Sequence, residues 1–426
     1  MSVNLLTYRE HNELSSLEGL ILPKDLYEQY FVKAHRGKDA SLPCFSIRKF
    51  EKEENKFSLK TGYFIGVDWV EVNHTALYVA PKLNQLGKEV DYIKMLFSSL
   101  SHSDVAKEIN ELFEVKWDFP FIEIEQKQDL LTPFLIVEFL SLMKTIARKG
   151  LKKSYYKVEQ NLYSKVKGKI LVGKSIKFNL QQNQKLRTYC SYNEFGLNNA
   201  ENRLFKKALT FVKRYLPNYL NFTNNKDLRD TFNYINPAFH DVSEEIDLNE
   251  IKDTKTKAFY KEYEPAIRLA KLILKRFGYN ISNTEKSTIK TPPFWIDMSK
   301  LFELYALGLL KDRFRNQVKF QFKHNGNELD FLLKTDDFQM VIDAKYKKIY
   351  VNGSNDDDIR QVSGYARLKK VYEELGKKQG EVIDCLIIHP DQENGFENLV
   401  NVDLKSANIP KYFDVYKIGL KLPYIK

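Results

Sequence analysis

Cysteine is scarce in this chain. The three cysteines among its 426 residues, Cys44, Cys190 and Cys385, lie far apart and form no CxxC pair. A disulfide framework or a zinc knuckle needs several cysteines at short, regular spacings. The sequence therefore excludes both kinds of site, and we expect a protein of the reducing cytoplasm.

Long apolar runs are also missing. Residues 1–20 carry several charged side chains and lack the uninterrupted apolar core of a signal peptide. The most hydrophobic stretch, Leu130 to Met143, contains Pro133 and Glu138 and is too short to span a bilayer. We predict a buried helix there and expect no membrane role.

Signs of disorder or low complexity are absent as well. The composition is 43% hydrophobic and 29% charged, with 25 tyrosines and 29 phenylalanines, which is ordinary for a globular protein. A net charge of +11 favours a polyanionic partner, because lysine and arginine on phosphates release condensed counterions. Charge alone does not establish such a partner, since many lysine-rich proteins bind no nucleic acid.

The length of 426 residues predicts two or three domains, each able to bury a core. Alternating β-branched and aromatic residues predict strands from Phe45 to Leu83, whereas helical periodicity dominates from Lys88 to Leu216. We therefore predict a mixed α/β, multi-domain chain. Its parts are a β-rich N-terminal domain at 1–90, a helical middle region at 91–275 and a C-terminal domain at 276–426.

Two predicted helices stand out. One runs from Asn202 to Leu216, with an apolar stripe and a strongly basic opposite face, which we expect to be a solvated surface rather than a DNA contact. The other begins after Asp297, a residue type that caps helices, and continues through apolar residues at helical spacing to Leu309. Two strands and a further helix are predicted to follow it.

The most informative segment is a predicted β-hairpin in the last third of the chain. Residues 327–333 and 339–347 both have strand character, and a short polar turn joins them. Side chains two residues apart on a strand share a face, so Asp343 and Lys345 point the same way. The hairpin can therefore bring Asp330, Asp343 and Lys345 together.

This set of residues suits phosphodiester hydrolysis. A hard divalent cation takes carboxylate oxygens as ligands, polarises the phosphate and acidifies a bound water. Asp330 and Asp343 are the expected ligands of Mg²⁺, for which Mn²⁺ can substitute, and the backbone carbonyl of Ala344 can complete the metal shell. Lys345 would orient the attacking water or stabilise the negative charge of the transition state.

The alternative interpretation is structural, because an Asp and a Lys on the last turn of a strand are often only its solvated end. A bare D-x-K triplet is weak as a motif. Its context favours the nuclease interpretation: Asp343 follows the apolar run 340–342, an earlier strand carries Asp330, and a predicted helix precedes both.

The segment resembles the PD-(D/E)xK nuclease superfamily, in Asp330 followed after twelve residues by Asp343-Ala344-Lys345. Leu329 stands where the name of the superfamily has proline. The resemblance implies that the two acids bind Mg²⁺, that the lysine assists hydrolysis and that residues 276–426 form the nuclease domain. It also implies supporting roles for Glu303 in the preceding helix, and for Gln361 and Tyr365 in a Q-xxx-Y element.

More narrowly, the chain is similar to the McrC nuclease subunits of McrBC modification-dependent restriction systems. The resemblance implies an endonuclease that cuts double-stranded DNA in defence against foreign DNA, with a hexameric AAA+ GTPase, McrB, as partner. The N-terminal and middle regions would dock on that motor and stimulate its GTP hydrolysis. The similarity covers most of the chain from about residue 60, through looser motifs at 78–82, 166–168, 190–194 and 201–203.

A rival motif lies in the middle region. Residues Gly168 to Ser175 match G-x-x-x-x-G-K-[ST], and a phosphate loop would make this chain an NTPase that binds nucleotide through Lys174. Such a loop follows a buried apolar strand and opens a helix. Here polar and basic residues precede the motif, and both 170–172 and 176–180 prefer strand conformation. The sequence therefore favours a β-hairpin in a basic region.

A third possibility is a non-catalytic DNA-binding adaptor, in which the acids are structural and a basic face contacts DNA. That interpretation would be favoured if one of Asp330, Asp343 and Lys345 were missing, and all three are present. Mg²⁺-dependent cleavage that is lost on Asp343→Ala would separate the nuclease from both rivals.

Overall fold

The chain forms a mixed α/β structure, as the sequence predicts, and we describe it from a computed structural model. No helix in the described part of the chain is long and apolar enough to cross a membrane. The described residues are 3–11, 13–17, 45–49, 57–83, 89–100, 112–125, 129, 131–215, 226–247, 251, 260–280, 288–324 and 326–424.

The helices and strands are numbered in chain order. The strands are β1 (Asn4–Arg9), β2 (Glu13–Leu17), β3 (Phe45–Lys49), β4 (Phe57–Thr61), β5 (Phe64–Glu71), β6 (Thr75–Ala80), β7 (Phe113–Val115), β8 (Ile122–Glu125), β9 (Ser154–Tyr163), β10 (Lys169–Ile170), β11 (Arg187–Gly196), β12 (Thr288–Thr291), β13 (Phe294–Asp297), β14 (Val318–His324), β15 (Asn327–Lys334), β16 (Gln339–Ala344), β17 (Asp384–Pro390) and β18 (Val415–Leu420). The helices are α1 (Tyr92–Leu100), α2 (Leu131–Lys149), α3 (Val172–Phe178), α4 (Ala200–Tyr215), α5 (Lys226–Ile235), α6 (Tyr263–Asn280), α7 (Met298–Phe314), α8 (Asp356–Tyr365) and α9 (Lys369–Leu375).

Two compact units divide the chain. The larger contains residues 1–134 and 285–426, and the smaller contains residues 135–284. The N-terminal and C-terminal parts of the chain therefore belong to one unit. The three-domain division drawn from the sequence stays a prediction.

The first sheet of the larger unit has five strands in the order β1-β6-β5-β13-β7. Its strands β5 and β6 are almost wholly buried, which agrees with their runs of β-branched and aromatic residues. β13 comes from a distant part of the chain and pairs antiparallel with both β5 and β7. Gly66, with φ +145°, lets the backbone of Phe294 approach β5, because any Cβ there would overlap it. The strands predicted between Phe45 and Leu83 are confirmed where the chain is described.

α7 is the helix predicted after Asp297, and it is confirmed. The Asp297 side chain accepts a hydrogen bond from the Lys300 backbone N–H at 3.0 Å, so it caps the helix as expected. Most side chains of α7 are buried, as in a helix that lies inside a unit rather than on its surface. Gly308 lies against α1, where an added Cβ would come within 3.1 Å of the Ser98 carbonyl oxygen. The glycine therefore allows the two helices to approach closely.

A second five-stranded sheet has the order β14-β15-β16-β17-β18. Its first three strands are antiparallel neighbours, whereas β16, β17 and β18 run parallel. The predicted hairpin is confirmed as β15 and β16, and hydrogen bonds between Thr335 and Phe338 close its turn. β14 is an additional strand, since only two strands are predicted between α7 and α8. Its sequence alternates apolar and polar residues from Val318 to Lys323, which is a strand pattern that the sequence-based prediction does not use.

The helices after the hairpin pack on this second sheet. α8 contacts β15, β16 and β17, and α7 contacts β14 and β16. Ile359 and Val362 of α8 are buried in one apolar cluster with Val341 of β16 and Ile387 of β17. Because this cluster fixes α8 against β16, polar side chains at the end of β16 face a rigid neighbour.

The smaller unit combines helices with a three-stranded antiparallel sheet in the order β10-β11-β9. α4 packs against α6 through Phe205 and Tyr263, whose ring centroids lie 5.2 Å apart. The sequence predicts mainly helices here, so β9 and β11, of ten residues each, are an unexpected addition. Most of their side chains are exposed or half-buried on both faces, so no clear alternation of apolar and polar residues reveals them.

α4 confirms the predicted basic helix, but its basic face is not simply solvated. Lys206 donates a hydrogen bond to the Phe239 carbonyl oxygen at 3.2 Å, and Lys207 donates to the Ile246 carbonyl oxygen at 3.1 Å. Both lysines are half-buried. These cations therefore hold the segment after α5 against α4.

The stretch that matches a phosphate loop folds differently from the predicted β-hairpin. Only the two residues of β10 are extended, and α3 begins at Val172, inside the motif. The strand conformation expected for residues 176–180 is therefore wrong. The helix turns the Phe178 ring onto Tyr189 of β11, with 5.8 Å between ring centroids. A period of two over so few residues does not distinguish a strand from a short helix.

Candidate functional site

Asp330 and Asp343 lie next to each other at the end of the hairpin. The ladder between β15 and β16 ends at the pair Phe331 and Ile342, and the next position of the same register sets Asp330 opposite Asp343. The Asp330 carboxylate accepts a hydrogen bond from the backbone N–H of Ala344 at 2.7 Å. Asp343 is only 2% exposed. The two acids are therefore adjacent, with Asp343 buried and Asp330 half-buried.

Burial and mutual repulsion disfavour negative charge at this position. The pKa of Asp330 lies well above its ordinary value, first because the carboxyl is buried and then because Asp343 and Glu303 repel its charge. Burial is also the main cause that raises the pKa of Glu303 to about 7, and Asp297 and Asp343 add to the rise. Several carboxylates thus share a poorly solvated region, which a bound cation would stabilise.

Glu303 reaches this region from α7, as the sequence predicts for a supporting residue. Its carboxylate forms a loose ion pair with Lys300, 3.6 Å between Oε1 and Nζ. Its effect on the pKa of Asp330 shows that the two carboxyls lie within electrostatic range. The helix ahead of the hairpin therefore contributes an acid to the same site.

Lys345 is held between the acids and α8. Its Nζ lies 2.7 Å from Asp343 Oδ2 and donates a hydrogen bond to Gln361 Oε1 at 2.9 Å. Burial acts to lower the pKa of Lys345, but the charges of Asp343, Asp330 and Asp358 outweigh it, so the pKa lies above its ordinary value. The side chain is therefore a fixed cation at neutral pH.

Gln361 and Tyr365 extend this chain of contacts along α8. Gln361 Nε2 donates a hydrogen bond to the Tyr365 hydroxyl at 3.0 Å, and the two residues are one helical turn apart. Asn355 caps α8 by accepting hydrogen bonds from the N–H groups of Asp357 and Asp358. The structure thus brings together every residue that the sequence assigns to the site.

The donor set fits a divalent metal ion. Oδ2 of Asp343 is buried and has no hydrogen-bond partner, since it meets the Lys345 ammonium only as an ion pair without hydrogen-bond geometry. The ammonium compensates part of the cost of burying this carboxylate, and a divalent cation would compensate it further. Among the described residues, no three His, Cys, Asp or Glu side chains are arranged to hold a metal by themselves. Two carboxylates and the carbonyl of Ala344 instead suit Mg²⁺, which keeps waters and phosphate oxygens as further ligands.

Comparison with known proteins identifies the family. The model of the family described as "McrBC 5-methylcytosine restriction system component" matches residues 59–375, more than half of the chain. The chain belongs to this family. The resemblance to McrBC systems is thereby confirmed, and the protein is a component of an McrBC restriction system.

Two solved structures are similar to this McrBC component. One is a half-complex from a tetradecameric assembly of Thermococcus gammatolerans McrB AAA+ hexamers with bound McrC, at 16% identity and a TM-score of 0.39 over 98% of this chain and 94% of that chain. The other is a cryo-EM structure of the Thermococcus gammatolerans McrBC complex, at 16% identity and a TM-score of 0.28 over 72% of this chain and 87% of that chain. No curated protein matches the chain. The family assignment therefore rests on the sequence.

A further buried acid of this McrBC component, Asp358 in α8, is not evident from the sequence. Its two carboxylate oxygens each accept a hydrogen bond from Lys347 Nζ at 2.8 Å, and one also accepts from the Tyr350 hydroxyl at 2.8 Å. These contacts fix the segment that follows Lys345. Three consecutive aspartates, 356–358, begin α8, and no sequence pattern tells which of them is buried.

The N-terminus of the McrBC component also reaches the segment after β16. Glu10, which follows β1 and is 1% exposed, accepts hydrogen bonds from the Tyr346 hydroxyl at 2.8 Å and from the Lys82 N–H at 3.0 Å. Burial raises the pKa of Glu10 to about 7. Lys82 Nζ donates to the Tyr346 carbonyl oxygen at 3.0 Å. Glu10 therefore contributes to the surroundings of the site, although the sequence of residues 1–55 indicates nothing specific.

The phosphate-loop match in this McrBC component lacks phosphate-loop geometry. β10 lies inside the motif rather than before it. Lys174 forms an ion pair with Glu159, and hydrogen bonds from Lys157 and Lys174 lower the pKa of that carboxyl to about 2. Gly168, with φ +68°, permits the close turn onto β11, where a Cβ would overlap the backbone. Lys174 thus takes part in a surface ion pair.

Proposed function

We propose that this chain is the Mg²⁺-dependent endonuclease subunit of a GTP-dependent, modification-dependent restriction system. It hydrolyses phosphodiesters of double-stranded DNA. The observation that carries the proposal is the adjacent pair Asp330 and Asp343, with the Lys345 ammonium 2.7 Å from the buried Oδ2 of Asp343. This combination of two acids and a fixed cation is what metal-assisted phosphodiester hydrolysis requires.

Asp330, Asp343 and the Ala344 carbonyl hold the Mg²⁺ ion in this proposal, and Mn²⁺ can substitute. When bound, the ion supplies Lewis acidity and neutralises charge on the phosphate. Lys345, held by Asp343 and Gln361, is a preorganised donor that stabilises negative charge on the phosphate or orients the attacking water. Asp343 is buried and Asp330 is half-buried, so contact with bulk water is limited and these interactions are strengthened.

Three residues position the groups that react. Gln361 accepts a hydrogen bond from the Lys345 ammonium and donates one to the Tyr365 hydroxyl. The lysine therefore has one preferred orientation. Glu303 adds a carboxylate beside Asp330, which increases the negative potential that attracts the metal ion. The removal of any of these three is expected to weaken cleavage without abolishing the site.

The surrounding sheet supports a PD-(D/E)xK domain at 276–426. The helix α7 precedes an antiparallel hairpin, β15 and β16, that carries both acids. After the hairpin the chain passes through α8 and α9 to β17 and β18, which lie parallel to β16 in the same sheet. This order agrees with the superfamily that Asp330 and Asp343-Ala344-Lys345 resemble. Function is nevertheless argued from the site, because one fold hosts many activities.

A hexameric McrB-like AAA+ GTPase is the proposed partner. Support comes from the family assignment and from the similar Thermococcus gammatolerans chains, which are described in complex with McrB hexamers. In the proposal the partner recognises modified DNA. This chain stimulates the partner's GTP hydrolysis and cuts the DNA. The regions upstream of the nuclease domain dock on the partner.

The two rival functions lack comparable support. An NTPase would need Lys174 for phosphate, and that lysine is paired with Glu159. A non-catalytic adaptor would not require two adjacent acids with a fixed lysine ammonium beside them. The nuclease is therefore the function that the geometry supports best.

The test is cleavage of long modified and unmodified plasmid DNA with Mg²⁺, with and without the AAA+ partner and GTP. We expect cutting that needs modified DNA, the partner and GTP, and that is lost in Asp343→Ala. Asp336→Ala is the matched control, because Asp336 is an exposed aspartate in the turn at the other end of the same hairpin. Cleavage that survives Asp343→Ala would overturn the proposal.

A further inference from the structure

A cleft of about 570 Å³ lies beside the segment that follows the metal-binding strand. Its volume is within the range of about 300–1,000 Å³ that is typical of ligand pockets. Its walls come from parts of the chain that are far apart in sequence but belong to the larger unit. The residues that line it include His11, Tyr63, Lys82, Tyr346, Lys347 and Lys348.

The lining of the cleft is basic. Among the described residues that line it, three are lysines and none is acidic. Lys348 is exposed, and Lys347, which is half-buried, is anchored by Asp358. Lysines held at the mouth of a concave site bind phosphate groups through their charge. The cleft therefore suits a phosphate-bearing ligand.

One wall of the cleft is an aromatic platform. The rings of His11 and Tyr63 are stacked, with 4.8 Å between centroids and 14° between planes. Lys82 Nζ lies 4.7 Å from the centroid of the Tyr63 ring and 3.9 Å from that of Tyr346. These contacts order the rings while the His11 side chain stays exposed. A planar base can stack on such a platform.

The backbone at His11 is held in an uncommon conformation. Its φ is 52°, in the left-handed region that side-chain-bearing residues seldom adopt. The His11 N–H donates a hydrogen bond to the Gly62 carbonyl oxygen at 2.8 Å, which maintains this conformation. Such strain persists where the surrounding structure fixes it, and it often marks ligand sites. Here it places the imidazole on Tyr63 at the cleft.

The cleft lies beside the segment that directly follows the proposed nuclease site. Tyr346 and Lys347 directly follow Lys345 in the chain. Tyr63, on the opposite wall, is close enough that the charges of Asp358 and Lys345 act on its phenol, although burial is the main cause that raises the pKa of Tyr63. A strand whose phosphate reaches Lys345 would therefore pass the cleft with a neighbouring nucleotide.

We propose that this cleft binds an unpaired nucleotide of the DNA strand that is cut. The base stacks on the face of His11 that points away from Tyr63, and Tyr63 supports the His11 ring from its other face. A backbone phosphate contacts Lys348, because Lys347 is already paired with Asp358. Base faces are hidden in a duplex, so an aromatic platform selects a strand that is locally unpaired. This inference rests on the proposed nuclease function and adds that the substrate is opened at, or next to, the bond that is hydrolysed.

The test measures DNA binding by the full-length chain with the substitution Asp343→Asn, so that cutting cannot interfere. Fluorescence anisotropy is recorded with a labelled 12-nucleotide single strand and with the same sequence as a duplex. We expect His11→Ala and Tyr63→Ala each to weaken single-strand binding about five- to hundredfold, the range of one lost stacking contact. Tyr63→Phe, which keeps the ring, should bind normally, and duplex binding should change little.

Two lysine substitutions distinguish a specific contact in the cleft from a general effect of positive charge. Lys348→Ala should weaken binding of the single strand, whereas Lys369→Ala, which removes an exposed lysine on α9, should not. Melting curves of each variant establish that it is folded. Equal losses on single strand and duplex, or a Tyr63→Phe defect as large as that of Tyr63→Ala, would overturn the stacking proposal.

Photocrosslinking identifies the contact directly. A single strand with one 4-thiothymidine should crosslink to His11, Tyr63 or Tyr346, and excess unlabelled strand should prevent the crosslink. If free dTMP or GTP competes as well as the strand does, the cleft is a mononucleotide site and the proposal fails. If the strand crosslinks to these residues but the chain never cuts DNA under any condition, the cleft proposal stands and the proposed nuclease function is wrong. If the His11→Ala and Tyr63→Ala variants cut DNA at the full rate and this cutting depends on Asp343, the cleft proposal is wrong and the nuclease function stands.

Discussion

The Asp330 carboxylate accepts a hydrogen bond from the backbone N–H of Ala344 at 2.7 Å. This bond joins the side chain of one strand to the last residue of the next, at the point where their ladder ends. The position of Asp330 is therefore set by backbone geometry. Asp343, which immediately precedes Ala344, is fixed by the same strand end, so the two acids need little rearrangement to share a ligand.

Asp330 illustrates a conflict between stability and activity. Because burial and neighbouring acids raise the pKa of Asp330 well above its ordinary value, its charged form destabilises the fold. Asparagine removes the charge, and its amide oxygen can still accept a hydrogen bond from the Ala344 N–H. We expect Asp330→Asn to raise the melting temperature in EDTA by about 2–4 °C for each kcal/mol of repulsion removed. DNA cleavage should fall at least about a hundredfold. Calorimetry and the plasmid assay check both effects, and a variant that melts lower yet cuts normally would contradict them.

Gln361 should affect the rate of cutting rather than the affinity for DNA. It accepts a hydrogen bond from Lys345 and donates one to Tyr365, so its loss leaves Lys345 with less defined orientation. We expect Gln361→Ala to lower kcat about 10- to 100-fold with KM for DNA unchanged. Tyr365→Phe, which leaves Gln361 in place, should have a smaller effect. An increase in KM alone would show that Gln361 binds DNA instead.

The hairpin and α7 could be predicted because their signals are local. The apolar run before Asp343 and the polar turn after β15 define two strands, and Asp297 followed by apolar residues at helical spacing defines a helix. The pair Asp330 and Asp343 follows from the strand register alone. The core of the candidate site is therefore visible in the sequence.

Other parts of the fold depend on contacts that no local pattern contains. β13 joins a sheet formed mostly by N-terminal strands. Glu10 accepts a hydrogen bond from the Tyr346 hydroxyl, although the two residues are 336 positions apart in the sequence. The polar surfaces of β9 and β11 hide their strand periodicity. The aspartate run 356–358 offers three equivalent acids, of which tertiary packing buries one. These features require the folded chain.

Lys174 provides a test of the rejected phosphate loop. Since Lys174 pairs with Glu159 and the motif lacks the strand-loop-helix order, we expect no nucleotide binding that depends on it. Fluorescence titration of the isolated chain with mant-GTP should give the same curve for wild type and Lys174→Ala. Saturable binding by wild type that is lost in Lys174→Ala would restore the NTPase.

His389 should make the fold sensitive to acid. Burial lowers the pKa of His389 from 6.5 to about 4, while Asp391 acts to raise it and Lys417 to lower it. Above pH 6.5 the imidazole is neutral in the folded and the unfolded chain alike. As the pH falls from there towards about 4, only the unfolded chain takes up the proton, so stability falls. At 1.36 kcal/mol for each pKa unit, the loss reaches about 3 kcal/mol.

The control for this effect is His389→Phe, which keeps a ring against Tyr350, whose centroid lies 5.7 Å away, and removes the titration. Urea denaturation at about pH 7, 6 and 5 should show a smaller loss of unfolding free energy in the variant than in wild type. Equal pH dependence of the two proteins would mean that His389 does not contribute.

The central claim is that Asp330 and Asp343 bind the divalent ion that cleavage requires, and Mn²⁺ binding followed by electron paramagnetic resonance tests it without the need for the partner. The full-length chain is titrated with Mn²⁺ in the presence of a short DNA duplex, and Asp343→Asn, Asp330→Asn and the control Asp336→Asn are treated alike. We predict a bound ion in wild type and in Asp336→Asn, and its loss in the other two. The same Mn²⁺ affinity in all four proteins would contradict the account.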